Sequence, residues 1–350
     1  MSFKSDINDI RRNVMRSLTG GIGHSAKYKE EKPEFHTTVK RILVTRPNGR
    51  LGNQILITPL VQELSMLFPN AKIDLFVRGG LSNILFENYK SVDRIISLPR
   101  KPFKELGKYI KVWFNLRRYC YDIVFNMDRE SASGRLSTKI ANGRYKFFNL
   151  ENETLRQAFE DYAHMAKLPV YNLRHHFFEK DPESMNKPIP DMDLQLSGEE
   201  LENGRKVLEK YIDKEKKTIA IYTFATGVKC YSEEWWNDLY SKMVCRFGEE
   251  YNIVEVLPVE NISQIAFKAP AYYSKDIREI GAVIANTSVF VGADSGIMHL
   301  ASASGTPTLG LFSATKTNQY EPYNMGSLAI DTNKMNANDI VDIIEKTLSY

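Results

Sequence analysis

From Arg41 onward the chain alternates short apolar runs with stretches of helical period. Arg41–Thr45 (RILVT) reads as a buried strand, and Pro47-Asn48-Gly49 as the loop after it. A helix is predicted from about Asn53 to Phe68, with Ile55, Leu60, Leu64 and Leu67 toward the core and Pro69-Asn70 as its stop. Lys72–Val77, Arg94–Leu98 and Tyr121–Phe125 read as further strands, with a helix over Phe103–Arg118 between the last two. About Leu150–Leu168 reads as a helix. The stretch from Pro169 to Ser197, with Pro182, Pro188 and Pro190, reads as an irregular connection between domains.

The same order then restarts. Thr218–Thr223 is a predicted strand, and a helix capped by Ser232 runs to about Phe247. Strands are expected at Asn252–Leu257, Ser288–Val291 and Thr308–Phe312, and helices at Asp276–Ala285, Gly296–Ser304 and Asn336–Leu348. Strands alternating with helices imply parallel sheets covered on both faces. The predicted organisation is an extension (1–38), an N-terminal α/β domain (39–175), a linker (176–197), a C-terminal α/β domain (198–332) and a closing helix (333–350). In the extension, Ile7, Ile10, Val14 and Leu18 fall at helical spacing beside Arg11, Arg12 and Arg16. The expected role is a docked helix; the alternative is a basic amphipathic helix in peripheral membrane contact.

Composition narrows the class. A chain of 350 residues with 43% hydrophobic and 26% charged residues is globular and long enough for two cores. A net charge of +4 is too small for a nucleic-acid binder, so no nucleic acid is expected as partner. Cys120, Cys230 and Cys245 are scattered and odd in number, which argues against a disulfide framework or a cysteine zinc site. No apolar run reaches the roughly 20 residues of a membrane span. The expected location is cytoplasmic, with association at the inner face of the inner membrane as a further expectation.

Three strand–loop–helix junctions carry the candidate chemistry. In Val291–Thr308 a strand ends, Asp294, Ser295 and Gly296 form the turn, and a helix of small residues begins. Free amides and the positive helix end favour an anion there, and His299 lies one turn further on. Gly296, without a Cβ, is expected to let backbone approach a ligand. In Ala225–Lys229, Thr226 offers a hydroxyl and Lys229 a charge for a phosphate. In Arg46–Pro59, Gly49 and Gly52 bracket a turn, while Asn53, Gln54, Arg46 and Arg50 present amides and charge to a cleft. Neither GxxxxGK[ST] nor GxGxxG is present, which excludes a P-loop and disfavours a dinucleotide site.

At these junctions the sequence resembles glycosyltransferase family 9, the ADP-heptose:lipopolysaccharide heptosyltransferases and their relatives. The resemblance rests on Leu51-Gly52-Asn53-Gln54 with Thr58-Pro59, on Lys229 with Glu234-Trp235-Trp236, and on Asp294 through Phe312. It implies a GT-B fold, two Rossmann-like domains facing each other across a cleft, and metal-independent, inverting sugar transfer with no cofactor. The donor, with ADP-heptose favoured, would be held by Thr226, Lys229, Ser295, Gly296 and His299, with Asp294 near the sugar and Glu260 at the ribose. A glycan or glycolipid acceptor would meet Arg46, Arg50 and Gln54. Where the family carries an acidic residue as base, this chain has Asn53, which takes no proton at neutral pH. Asp128, after the fourth strand, is the replacement expected; the alternatives are that no base is needed or that the chain binds without catalysing, and for the donor the alternative is another nucleotide sugar. Asp191-Met192-Asp193 has the form of a metal-binding DxD, but its proline-rich setting reads as a solvated loop, and no metal site is expected.

Overall fold

The computed structural model describes residues 21–22, 39–100, 104–179 and 181–349. The helix expected within 1–38 lies outside the described residues.

The N-terminal half is a five-stranded parallel sheet in the order β3-β2-β1-β4-β5. Its strands are β1 (Arg41–Thr45), β2 (Lys72–Arg78), β3 (Val92–Leu98), β4 (Cys120–Asn126) and β5 (Asn142–Phe147). Between them run α1 (Leu51–Ile55), α2 (Thr58–Leu67), α3 (Leu81–Leu85), α4 (Leu106–Arg118) and α5 (Ala132–Ile140). Three short helices follow: α6 (Glu153–Ala158), α7 (Leu168–Phe178) and α8 (Pro182–Met185).

The C-terminal half begins with α9 (Gly198–Leu208) and holds a six-stranded parallel sheet in the order β11-β10-β9-β6-β7-β8. Here β6 (Lys217–Tyr222), β7 (Tyr251–Val256), β8 (Ala271–Tyr272), β9 (Val289–Ala293), β10 (Thr308–Phe312) and β11 (Leu328–Asp331) are flanked by α10 (Glu233–Phe247), α11 (Ile277–Ala285), α12 (Gly296–Ala303), α13 (Thr317–Tyr320) and α14 (Ala337–Leu348). Every residue of β9 and β10 is buried, as expected for central parallel strands with helices on both faces.

Several elements differ from the sequence expectation for identifiable reasons. The helix expected over 53–68 is two helices, because Pro59 lacks an N–H and its ring excludes the Ile55 carbonyl; Pro59 instead occupies the first turn of α2. The segment expected as one helix over 150–168 is α6, capped by Asn152, followed by a 3-10 turn at Glu160–Ala163. Pro169 does not open an irregular stretch but sits in the first turn of α7. Strand β9 runs two residues past Val291, through Gly292 and Ala293. Short or polar edge elements, β5, β8 and β11, lack the apolar run that marked the others.

The Asp191-Met192-Asp193 segment is not a solvated loop. Met192 and Leu194 are buried, and the backbone carbonyls of Asp191 and Asp193 accept from Gln62 (2.8 Å) and Tyr89 (2.7 Å). Leu194 N in turn donates to Ala303 O at the end of α12 (2.9 Å). Upstream, the buried Arg174 of α7 grips Glu63 of α2 through Nε (2.7 Å) and Nη2 (2.9 Å) and also donates to Pro188 O. The crossing between the halves is thereby sewn to both.

Candidate active site

In each sheet the strand order reverses once, and the loops leaving the strands on either side of that point open a crevice at their carboxyl ends. In the N-terminal sheet the reversal lies between β1 and β4, where Thr45 pairs with Asn126. Arg46 and the Met127-Asp128 turn therefore leave the sheet side by side. In the C-terminal sheet it lies between β6 and β9, where Tyr222 pairs with Gly292. Lys229 and Asp294 leave there.

The two crevices face each other at one close contact. Helix α1 lies against the start of α12. A Cβ on Gly52 would come 2.7 Å from His299 Cδ2, and one on Gly296 would come 3.0 Å from Leu51 Cβ and 3.2 Å from Gly52 N. The close approach that Gly296 permits here is to the other half of the chain.

On the C-terminal side, Lys229 Nζ donates to Asp294 Oδ2 at 2.5 Å, and the Thr315 hydroxyl donates to the same oxygen. An ammonium has three donors, so two remain for a ligand. Ser295 caps α12 by accepting from Met298 N at 3.2 Å. The amides of Gly296 and Ile297, in the first turn, have no partner within the helix. Thr226 is exposed and starts the 3-10 turn that carries Lys229, a turn entered through Gly227 at φ +67°. Glu260 is exposed, and its charge acts on Tyr222 at the end of β6.

His299 is buried, and its Nδ1 has no hydrogen-bond partner among the described residues. Burial pushes its pKa down to about 4; Asp294 opposes this, while Lys229 and Arg46 add to it. At neutral pH His299 therefore brings a hydrogen bond, not a charge.

On the N-terminal side, Arg46 is 1% exposed. Its Nη2 donates to Asn53 Oδ1 at 2.8 Å, and its Nε and Nη1 have no partner among the described residues. Burial lowers its pKa, opposed by the charges of Asp128 and Tyr320. Asp128 is held by its turn: its Oδ1 accepts from Glu130 N and its carbonyl from Asn126 Nδ2, both at 3.0 Å. Arg50 is exposed above the site. Gln54 departs from the acceptor role expected of it. Its side chain is buried and spent inside the fold, with Nε2 donating to Asn48 O and Arg78 O and Oε1 accepting from Ser82.

Three residues were missed by sequence reasoning. Tyr320, at the end of α13, has its ring 6.4 Å from that of His299. Burial raises its pKa, Arg46 and Arg50 oppose, and Asp128 and Asp294 add. It therefore stands among the charged groups of both halves. Thr315 holds Asp294 from the same segment. Glu255, fully buried in β7, accepts from Thr223 (2.6 Å) and Ser263 (2.7 Å) and fixes the loops after β6 and β7 to each other. Nothing in the local sequence around Tyr320 or Thr315 marks them, because both follow β10 without a glycine-bracketed turn.

Two parallel α/β sheets joined by a packed crossing, with polar groups gathered where both strand orders reverse, define a two-domain transferase of the GT-B type. The profile of Glycosyltransferase family 9 (heptosyltransferase) matches residues 109–346, and the chain belongs to that family. It is a glycosyltransferase. It is 23% identical over 293 residues to lipopolysaccharide heptosyltransferase 3 of Escherichia coli K12, covering 78% of this chain and 82% of that protein. Among solved structures, the family 9 glycosyl transferase from Veillonella parvula superposes with a TM-score of 0.70 at 15% identity, over 90% of this chain and 99% of that one. The E. coli heptosyltransferase WaaC with ADP superposes with a TM-score of 0.62 at 15% identity, over 88% and 99%.

Proposed function

We propose that the chain moves heptose from ADP-heptose to a lipopolysaccharide-type glycan acceptor, with inversion at the anomeric carbon. The observation that carries this reading is Lys229, set 2.5 Å from Asp294 at the opening of α12. That arrangement puts an ammonium with donors to spare beside two unpaired amides and the positive end of a helix, which suits a diphosphate. Thr226 would add a hydroxyl and Glu260 would meet the ribose. The ADP in the related E. coli structure supports the choice of nucleotide.

In the reaction, an acceptor hydroxyl oxygen attacks the anomeric carbon as the bond to the diphosphate oxygen breaks. ADP leaves with the electron pair, and the hydroxyl proton passes to Asp128. Lys229, the α12 amides and neutral His299 stabilise the charge that grows on the diphosphate. Arg46 and Arg50 face the acceptor from the other half. Lys229→Ala is expected to lower kcat on the order of 10²-fold, measured as ADP release with acceptor present. Unchanged turnover would remove Lys229 from the mechanism.

Asn53 favours a second reading, binding without transfer. Thermal-shift measurements with ADP-, UDP-, GDP- and dTDP-linked sugars, followed by assays for transfer and donor hydrolysis, separate the two. Stabilisation by one nucleotide sugar with no turnover on any extracted glycolipid would favour the second reading.

A further inference from the structure

Helix α4 has two apolar faces. One, formed by Tyr109, Val112, Trp113 and Leu116, packs on the core beneath β2 and β4, with Trp113 edge-on to Phe76 at 5.4 Å between centroids. The other faces out: Leu106 is 55% exposed, Ile110 46% and Phe114 72%. These three lie four residues apart and form a continuous stripe. Soluble helices normally turn polar residues to the outside. Beside the stripe, residues 104–118 carry Lys104, Lys108, Lys111, Arg117 and Arg118 against Glu105 alone. Their excess of four positive charges equals the net charge of the whole chain, +4.

At the C-terminal end of α4 the basic character continues. Arg117, Lys139 and Lys146 line a cavity of about 390 Å³, and no carboxylate lines it among the described residues. Lys146 Nζ donates to Lys139 O at 2.8 Å, which holds it at that wall. Three basic residues lining one cavity, with no acidic residue in its lining among the described residues, suit a phosphate headgroup.

We propose that α4 is an interfacial anchor, lying along an anionic bilayer with Leu106, Ile110 and Phe114 in the headgroup–acyl boundary. The flanking lysines and arginines meet lipid phosphates, and the cavity at Arg117 takes one headgroup. An apolar stripe edged by cations fits an anionic lipid surface better than a protein partner, because the charge is spread along the whole helix and stays positive even with Glu105 paired to Lys108. The placement also has a geometric consequence. Helix α4 starts just after β3, at the same sheet edge from which Arg46 emerges, so a bilayer along α4 would bring a lipid-borne acceptor to that edge.

The test uses the full chain and vesicles of phosphatidylcholine with or without phosphatidylglycerol, read by co-sedimentation. The parent protein should sediment with the phosphatidylglycerol vesicles, and raising the salt should release it. Ile110→Ser with Phe114→Ser should weaken partitioning at least about tenfold, with the circular dichroism and melting temperature of the parent, since both side chains point outward. Lys111→Glu with Arg118→Glu should abolish the preference for the anionic vesicles. Three results would overturn the proposal: no binding by the parent, parent-like binding by the serine variant (which would locate the contact elsewhere, residues 1–38 included), or a serine variant that changes oligomeric mass while keeping vesicle binding. None of these readouts depends on sugar transfer, so they stand apart from the assays of donor and acceptor.

Discussion

Arg46 Nη2 donates to Asn53 Oδ1 at 2.8 Å, and this is the one hydrogen bond of the Arg46 side chain among the described residues. This buried guanidinium has a neutral amide, not a carboxylate, as its hydrogen-bond partner, and the Asp128 charge acts on it without a hydrogen bond. Asn53→Asp would supply a carboxylate at the same place and turn a bond with one charged partner into an ion pair. The variant should melt a few degrees higher, consistent with a gain of about 1 kcal/mol. Its kcat should change less than about tenfold, because Asp128 already takes the proton in the reaction proposed above. A gain of 10²-fold or more would mean that the base was missing.

Asp128→Asn tests the same assignment from the other side. Asparagine keeps the acceptor for Glu130 N, so the turn should hold. The expected result is a fall in kcat on the order of 10²–10⁴-fold with little change in donor KM. A parent-like kcat would exclude Asp128 as the base.

Gly52→Ala should damage the contact between the halves. Its Cβ would sit 2.7 Å from His299 Cδ2, and His299 is buried and hemmed by α1. Overpacking of this kind costs about 1–3 kcal/mol. Adding His299→Ala should recover part of that loss, giving a coupling of at least about 0.5 kcal/mol in a double-mutant cycle of melting or urea midpoints. Strict additivity would show that the two positions do not meet.

Stability should fall on mild acidification. Burial pushes His164 down to about 3 and His299 down to about 4. His164 accepts from Ala166 N at Nδ1 and donates from Nε2 to Glu321 O (2.9 Å), so the fold uses its neutral tautomer. Both folded values lie below the unfolded value near 6.5. The native state therefore binds fewer protons. The stability this represents is fully present above about pH 6.5 and is lost as the pH falls through the range down to the folded values. Urea midpoints measured across that range should decline; a flat profile would contradict the buried, neutral state of both rings.

The sequence by itself determined the class. Apolar runs such as Arg41–Thr45 and Thr218–Tyr222 are strands because central parallel strands bury both faces and leave a run with no alternation. The junction at Asp294–Gly296 was legible for a similar reason: strand end, turn and helix cap are local events, written in consecutive residues. The helix at Leu168–Phe178 was hidden by a proline that a first turn accepts. What only the tertiary structure decided was which groups meet. Lys229 and Asp294 are 65 residues apart and come together because β6 and β9 are neighbours. Tyr320 and Glu255 carry no local signal, since their roles come from partners far along the chain. Gln54 looked like a ligand contact, yet it is spent on internal carbonyls, and Gly296 also makes room for Leu51 and Gly52 of the other half. Spacing along a chain fixes the hydrogen bonds of turns and caps; contacts across a crevice depend on strand order and on how two halves pack, which no short window of sequence contains.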